Sequence, residues 1–290
     1  MKHKFFKRCL PCRSPLFRVL RAGLVLGAVC CLVLALGSCG GQTETETASH
    51  SDLPVILVGS DNYPPFHYED ANGQPTGIDV DLAREACRRL GYRPEFHQVV
   101  WENKDQELDM GNIDCLWGSF TMTGREDLYQ WAGPYLYSRQ VVLVRADSDI
   151  TTLADLAGKR VAVQATSKPE MVFLERPEPE RVPEVGEVYC FSSMEEVYSA
   201  IRKDFVDAIA GHEGAMRTFM EDSPGSWRIL DQSLLVSALG VAFPKGTNES
   251  LSAQLTAVLQ EMQRDGTTKA IVEKYGFDAD TFFLGRGGSS

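Results

Sequence analysis

The chain has 290 residues, and its 40 Asp and Glu residues outnumber its 29 Lys and Arg residues, which gives a formal net charge of −11. A surface with this charge repels nucleic acid and anionic lipid head groups, so we expect no nucleic-acid partner. The length is sufficient for two α/β lobes in addition to an N-terminal segment of different composition.

The N-terminal segment has the composition of a bacterial export signal. Seven Lys and Arg residues and no carboxylate lie within residues 2–21, and an apolar run covers 22–36. This run is shorter than the roughly 18 apolar residues that a membrane span needs. Small residues then precede Cys39 and resemble a lipobox, at which a peptidase cuts before a cysteine that receives a diacylglycerol. We predict a signal peptide over 1–38 and a lipid anchor on Cys39; the alternative is an ordinary signal peptide with an incidental cysteine.

Removal of this signal leaves a more acidic chain with few cysteines. Because the signal holds seven of the 29 basic residues, 22 remain against 40 acidic ones, a net charge of about −18. Beyond Cys39 only Cys87, Cys115 and Cys190 remain, an odd set without metal-binding spacing. Cys87 and Cys115 lie in apolar stretches, which indicates small buried residues. We expect neither a metal ion nor a cofactor.

Strand and helix patterns alternate after a polar segment, residues 39–52, that predicts a flexible tether. Predicted strands cover 55–59, 93–99, 113–117, 141–144, 160–164, 206–210 and 239–243. Predicted helices lie at 80–90, at 107–110, at 167–175, at 194–201 and after Asn248, which is a candidate helix cap. This alternation favours α/β lobes with largely parallel sheets.

Several segments resemble, in order, those of one known family. They include Gly77-Ile78-Asp79-Val80-Asp81-Leu82-Ala83, Gly111-Asn112-Ile113-Asp114, Thr121-Met122-Thr123, Gly133-Pro134-Tyr135, Asp155-Leu156-Ala157-Gly158-Lys159 and Lys274-Tyr275-Gly276. Together they span nearly all of residues 53–278 and resemble the polar-amino-acid-binding proteins of ABC importers, family 3 of the bacterial extracellular solute-binding proteins. The resemblance implies a type II periplasmic-binding-protein-like α/β fold, with two crossing strands between lobe one (53–143 and 243–290) and lobe two (144–242).

The resemblance also implies a function. The protein is expected to be a monomer outside the cytoplasm, lipid-anchored to the cell membrane. It would capture an amino acid or a related small amine or zwitterion between its lobes and deliver it to the permease of an ABC importer, without catalysis. Two alternatives share the fold: a cyclohexadienyl dehydratase-like lyase, and a ligand-sensing module for a receptor.

A bound amino acid needs partners for its carboxylate, because a charge that loses its water unpaired costs several kcal/mol. The resemblance implies that Arg125 is this partner, since guanidinium matches carboxylate geometry. Arg125 comes one residue earlier than the family spacing after Thr-x-Thr, so Arg139 is an alternative. From lobe two, the resemblance implies Thr166 and Ser167, at the N-terminus of a predicted helix.

The ammonium needs acceptors. The resemblance implies the hydroxyl of Thr121 and the carbonyl of Gly118 or Ser119 from lobe one. From lobe two the family supplies an Asp, and here either Glu213 or His212 lies in its place. The same two residues are the candidates for a general acid or base if the protein were a lyase.

Aromatic residues are the expected walls of the pocket, because their faces cover aliphatic stems and cationic groups. The candidates are Tyr63, Phe66, Trp101, Trp117 and Phe120. Asp61, close to Tyr63, is a candidate partner for a cationic ligand side chain. We expect ligand binding to close the two lobes about a hinge.

Overall fold

The computed structural model describes residues 53–283. Its strands are β1 (Val55–Ser60), β2 (Tyr68–Glu69), β3 (Pro75–Thr76), β4 (Arg93–Gln98), β5 (Cys115–Leu116), β6 (Gln130–Arg145), β7 (Arg160–Gln164), β8 (Glu187–Phe191), β9 (Ala208–His212) and β10 (Trp227–Phe243). Its α-helices are α1 (Ile78–Leu90), α2 (Lys104–Asp109), α3 (Lys168–Glu175), α4 (Met194–Arg202), α5 (Glu213–Glu221), α6 (Glu249–Arg264) and α7 (Thr267–Lys274). Short 3₁₀ helices cover Trp101–Asn103, Leu153–Leu156 and Ala279–Phe282.

Eight strands form one mixed sheet in the order β4-β1-β5-β10-β6-β9-β7-β8, while β2 and β3 form a separate hairpin. At one end of the sheet β1 is parallel to β4 and β5, and at the other β7 is parallel to β8 and β9. Between them the long antiparallel strands β6 and β10 pair along most of their length. These two strands therefore connect two parallel groups, and the predicted type II α/β fold with two crossing strands is confirmed.

Each parallel group is covered by its own helices. We call β1, β4 and β5 with α1, α2, α6 and α7 lobe one, and β7, β8 and β9 with α3, α4 and α5 lobe two. The predicted lobe boundaries at residues 143/144 and 242/243 fall inside β6 and β10 and stay a prediction. Within residues 53–283, no helix combines the length and the apolar composition needed to cross a membrane.

The helices begin and end where local chemistry requires. Helix α1 ends at Gly91, whose φ of 75° suits glycine, as predicted. Ser167 precedes α3, and its side chain accepts a hydrogen bond from the N–H of Glu170. Asn248 lies at the predicted N-cap position of α6, but its side chain makes no capping hydrogen bond.

Several strand predictions differ from the structure. The crossing strands are much longer than the predicted 141–144 and 239–243. The predictions were too short because each strand also contains residues that are unfavourable in strands, such as Pro134 in β6 and Asp231 in β10. Strand β8 was not predicted: it lies at the sheet edge with exposed or half-buried side chains, so its sequence lacks an apolar run. Strand β9 begins at Ala208, two residues later than predicted.

Candidate functional site

A cavity of about 30 Å³ lies between the lobes, at the carboxyl ends of their parallel strands. Lobe one contributes Asp61 and Tyr63, which follow β1, and the segment 118–121, which follows β5. Lobe two contributes residues at the end of β7 and the start of α3, and the last three residues of β9. Open α/β sheets bind ligands at this edge, so the cavity is the candidate functional site.

Hydrogen bonds join the two lobes around this cavity. The guanidinium of Arg125 donates to the carbonyl oxygen of Thr166 at 3.0 Å, and Nζ of Lys104 donates to Oγ1 of Thr166 at 2.9 Å. Nε2 of Gln164 donates to a carboxylate oxygen of Asp61 at 2.6 Å. These bonds hold the lobes in contact, so the structure represents a closed arrangement.

Two cations line the cavity, Arg125 and Lys168, and we call them the cavity cations. Arg125 is half-buried over the ring of Phe120, 5.2 Å from its centroid. Lys168 is 6% exposed, and its Nζ lies 3.3 Å from the sulfur of Met171. Neither cation has a carboxylate within 4.0 Å among residues 53–283, and burial lowers the pKa of both. Neither cation therefore has a direct ion pair in the described part of the protein, although carboxylates farther away act weakly on both.

A third cation, Lys104, lies behind the cavity wall. It is 2% exposed, and its Nζ lies over the ring of Trp101, 5.3 Å from the centroid. Its ion pair, at 3.4 Å, is with the exposed carboxylate of Asp105. Burial lowers the pKa of Lys104, and the nearby charge of Arg125 lowers it further. The charge of Arg125 thus acts unfavourably on both Lys104 and Lys168 in a poorly hydrated region.

Among the described residues, Asp61 is the one carboxylate that lines the cavity. Burial raises its pKa to about 6, although the hydrogen bond from Gln164 acts in the opposite direction. The carboxyl group of Asp61 therefore ionises only as the pH rises through about 6.

The imidazole of His212 also lines the cavity, and burial lowers its pKa to about 3. His212 is therefore neutral at physiological pH. Its ring hydrogen-bonds with the backbone of Ser119, and Nε2 of Gln140 donates to its Nε2 at 2.9 Å. His212, the lobe-two residue considered as a partner for a ligand ammonium group, is thus uncharged.

A buried carboxylate supports the lobe-one loop. Oδ2 of Asp79 accepts the N–H of Ser119 at 2.5 Å and the hydroxyl of Tyr135 at 3.0 Å. Burial raises the pKa of Asp79 to about 7. Gly118 fits in this loop because a side chain there would clash with the hydroxyl of Ser60. The hydrogen bonds of Asp79 therefore fix the position of the loop that contains Gly118 and Ser119.

The backbone at both sides of the cavity adopts a conformation that is rare for residues with a side chain. Ser119 has a φ of 53° in lobe one, and Thr166 has a φ of 58° in lobe two. Such strain persists where surrounding contacts hold it, and it is frequent at ligand sites. In this protein Asp79 holds Ser119, while Glu170 accepts the N–H of Thr166 at 2.7 Å.

The structure brings most of the predicted site residues to the cavity. The predicted residues in its lining are Tyr63, Trp101, Gly118, Ser119, Thr121, Arg125 and Ser167, together with Asp61, Phe120 and His212, which the sequence offered with less weight. Thr166 lies beside the cavity without lining it, because its carbonyl and hydroxyl are directed to Arg125 and Lys104.

Four candidates do not line the cavity in this structure. Phe66 is 0% exposed and stacks on Tyr63 in the core, and Trp117 is also a core residue. Glu213 accepts hydrogen bonds from Arg139 at 3.2 Å and from Arg217 at 2.6 Å. We call Glu213, Arg139 and Arg217 the junction cluster. Because Glu213 is bonded to these two arginines, it is not free to bind a ligand ammonium group. Arg139 is likewise engaged and is not the alternative partner for a ligand carboxylate.

Sequence reasoning missed several lining residues, among them Gln140, Gln164, Lys168 and Met194. Three of them carried a usable signal. Gln140 and Gln164 are polar residues inside or at the end of otherwise apolar strands, and buried polar residues need a partner. A third signal was Lys168 in the first turn of α3, because a cation is electrostatically unfavourable at a helix N-terminus.

Residues 55–278 match the model for bacterial extracellular solute-binding proteins, family 3. The chain belongs to this family. The histidine-binding periplasmic protein of Salmonella typhimurium is 29% identical to this family 3 solute-binding protein over 262 residues, covering 87% of this chain and 96% of that protein. The L-cystine-binding protein TcyA of Bacillus subtilis is 26% identical over 257 residues, covering 84% of this chain and 92% of that protein.

A solved structure of an ancestral arginine-binding protein bound to arginine resembles this solute-binding protein with a TM-score of 0.69. The two are 28% identical, and the match covers 76% of this chain and 97% of the other. The predicted family and fold class are thereby confirmed, and the homologues are amino-acid-binding proteins. The predicted signal peptide, Cys39 and most of the tether lie outside the described residues.

Proposed function

We propose that this protein is an extracytoplasmic solute-binding lipoprotein that captures an amino acid or a similar small carboxylate-bearing zwitterion between its lobes and delivers it to an ABC importer. One observation carries this proposal. Arg125, a half-buried guanidinium without an ion pair in residues 53–283, lines a cavity in a chain whose homologues bind amino acids.

The cavity offers the carboxylate of such a ligand several donors. Guanidinium groups bind carboxylates through two parallel hydrogen bonds, and Arg125 has no competing carboxylate among the described residues. Ser167 also lines the cavity, from the opposite lobe, at the N-terminus of α3, where free N–H groups favour an anion. A carboxylate between them would contact both lobes.

Unpaired polar atoms remain for the rest of the ligand. The hydroxyl of Ser119 and Oε1 of Gln140 are buried, belong to lining residues and lack a hydrogen-bond partner in the described part of the chain. Such atoms cost free energy unless a ligand or water bonds to them. Tyr63 and Trp101 supply apolar walls.

Closure follows from contacts made only when the lobes meet. A ligand held by Arg125 in lobe one gains Ser167 and Gln164 when lobe two swings in, in addition to the direct bonds between the lobes. Contacts present in one state only shift the equilibrium toward that state. The importer would then recognise the closed form.

We expect binding without catalysis. Of the two candidate acid or base groups, Glu213 is held by the junction cluster, and His212 with a pKa of about 3 is no proton donor at neutral pH. Incubation with prephenate or arogenate, followed by chromatography, should show no new product. Formation of product would overturn the assignment as a binding protein.

A thermal-shift screen of amino acids, small carboxylates and small amines tests capture directly. At least one compound with a carboxylate should raise the melting temperature, with a shift that grows with its concentration. The methyl ester of the same compound is the matched control, because it lacks the anion, and it should cause no shift. If no compound shifts the melting temperature, or if ester and acid act equally, the proposal fails.

Membrane attachment and delivery need separate tests. Cys39→Ala should move the protein from the membrane fraction to the soluble fraction, whereas Cys190→Ala should not; retention of the Cys39 variant would contradict the lipid anchor. Deletion of the gene should abolish uptake of the labelled ligand by cells. Normal uptake with loss of a ligand response would instead indicate a sensing module.

A further inference from the structure

The cavity lining is positively charged, and this charge indicates, on the basis of the proposed function, the class of ligand that the protein would capture. The cavity cations are two, and Asp61 is the one carboxylate of the described residues in the lining. Its raised pKa, about 6, shows that burial opposes even this single negative charge. The lining therefore has a positive excess whichever form Asp61 takes.

Carboxylates outside the lining compensate this excess only in part. Glu170 accepts the N–H of Thr166, and Asp105, Glu126 and Glu175 are exposed to solvent, where water screens their charge. Lys104 adds a third positive charge behind the wall. Buried cations in such proximity are costly unless an anion joins them.

The position of Lys168 increases this cost. Its side chain is nearly fully buried, and it lies in the first turn of α3, where the helix dipole already presents positive partial charge. The charge of Arg125 lowers the pKa of Lys168 further. The position of Lys168 is favourable only if an anionic group binds beside it, and a ligand in the cavity can supply that group.

A ligand cation would meet the opposite environment. The lobe-two group that hydrogen-bonds to the loop 118–121 is His212, which is neutral, and the buried acceptors of the described lining that lack a partner are the hydroxyl of Ser119 and Oε1 of Gln140, which are uncharged. These atoms can accept a hydrogen bond from an amino group. They offer no counter-charge to a ligand with a cationic side chain. Asp61, the one carboxylate of the described lining, accepts a hydrogen bond from Gln164 and is outnumbered by the two cavity cations.

We infer that the ligand carries a net negative charge, with two carboxylates or equivalent anionic groups that compensate Arg125 and Lys168. A neutral zwitterion would leave the positive excess in place, and a cationic amino acid would increase it. Two sources have the required chemistry: acidic amino acids, and dicarboxylates without an amino group. The ligand of this chain thus differs in charge from the histidine and arginine for which several of its relatives are named.

Isothermal titration calorimetry with near-isosteric pairs tests this inference. L-Glutamate and L-glutamine differ by one charge, and the protein should bind an acidic member of the panel at least about tenfold more tightly than its neutral counterpart. L-Aspartate and L-asparagine form a second pair. The panel also contains two dicarboxylates without an amino group, succinate and 2-oxoglutarate, and two amino acids with basic side chains, L-arginine and L-histidine. A preference for the dicarboxylates over the acidic amino acids would assign the ligand to the class without an amino group.

The variant Lys168→Gln identifies the residue responsible. It should lower the affinity for the acidic ligand by about tenfold or more while leaving the affinity for the neutral isostere unchanged. Lys245→Gln, in an exposed position after β10, is the matched control and should change neither. Far-UV circular dichroism of both variants checks that they fold.

The outcomes separate this inference from the proposed function. Tighter binding of L-glutamine, L-arginine or L-histidine than of every compound with two carboxylates would overturn the inference and leave capture of an amino acid intact. An equal loss of acidic and neutral ligand affinity in Lys168→Gln would overturn the assignment of the second anionic group to Lys168. The absence of binding by any compound in the panel would overturn the inference, whereas the proposed function fails if no compound of the thermal-shift screen raises the melting temperature.

Discussion

The cavity cations and the junction cluster place the same residue types in opposite circumstances. In the junction cluster, Arg139 and Arg217 both bond to Glu213, so each charge has a partner within the protein. In the cavity, Arg125 and Lys168 are more deeply enclosed, yet no carboxylate of residues 53–283 lies within 4.0 Å of either. The paired set resembles ordinary structure, whereas we propose that the unpaired set binds a partner outside the chain.

This difference teaches how a charged side chain can be assigned to structure or to binding. Exposed ion pairs contribute up to about 1 kcal/mol and need no ligand. An unpaired buried cation destabilises the folded protein, and such a cost persists where function requires it. The predictions below follow this comparison, from the largest expected effect to the smallest.

The largest contrast should appear between Arg125→Ala and Arg139→Ala in ligand affinity. Loss of one partner of a buried, hydrogen-bonded charge pair costs about 2–5 kcal/mol, so Arg125→Ala should weaken binding by at least about thirtyfold. Arg139→Ala should change the affinity by less than about twofold, because Arg139 contacts Glu213 rather than the cavity. Calorimetry with the ligand found in the screen decides; equal losses would show that the two arginines do not differ in role.

The next effect concerns the pH dependence of stability. The pKa of Asp79 is raised to about 7 in the folded protein, so its contribution is fully present below its ordinary pKa of about 4 and is lost as the pH rises through 7. The substitution Asp79→Asn removes this loss, because an amide does not ionise. Urea titrations between pH 4 and pH 8 measure the unfolding free energy of the variant and of the unmodified protein.

The variant should gain stability relative to the unmodified protein as the pH rises, because only the unmodified protein must bury a carboxylate charge. The gain should amount to about 1.4 kcal/mol for each unit by which burial raises the pKa of Asp79. A difference that stays constant with pH would contradict the burial of an uncompensated carboxylate at Asp79.

A smaller effect is expected on the stability of the protein without ligand. Lys168→Met removes a buried cation from the first turn of α3, where the helix dipole disfavours it. The unfolding free energy should rise by about 1 kcal/mol while affinity for an acidic ligand falls. Chemical denaturation of both proteins measures the change, and a marked loss of stability would show that Lys168 has a structural partner.

The smallest effect is expected in the junction cluster. Glu213→Gln breaks ion pairs with two partly exposed arginines, so it should lower the unfolding free energy by about 1 kcal/mol or less. Ligand affinity should not change, because Glu213 does not line the cavity. A clear loss of affinity in calorimetry would show that the junction cluster takes part in binding or closure.

The sequence predicted the fold better than the details of its central strands. Short apolar runs and helix stop signals identify β1, β7 and α1, since each buries a continuous apolar face. The crossing strands β6 and β10 pass between lobes through changing environments, so their apolar pattern is interrupted and their full lengths were missed. The edge strand β8 lacks the buried face on which such a prediction depends.

The candidate site was predictable where a motif fixed the backbone, and less so where side-chain direction decided the outcome. Arg125 and Thr121 follow from their segment after β5, and both line the cavity. His212 and Glu213 are adjacent in sequence, yet one ends β9 at the cavity and the other begins α5 and bonds to Arg139. Sequence spacing alone left these neighbours equivalent, because the change from strand to helix sets their directions.

The central claim is that the unpaired cations between the lobes bind an anionic small molecule. A crystal structure with the ligand found in the screen tests it most directly. We predict one carboxylate at about 3 Å from the guanidinium of Arg125 and a second anionic group at hydrogen-bonding distance from Nζ of Lys168, with both lobes in contact with the ligand. A ligand bound elsewhere, or one that leaves both cations without an anionic partner, would contradict the account.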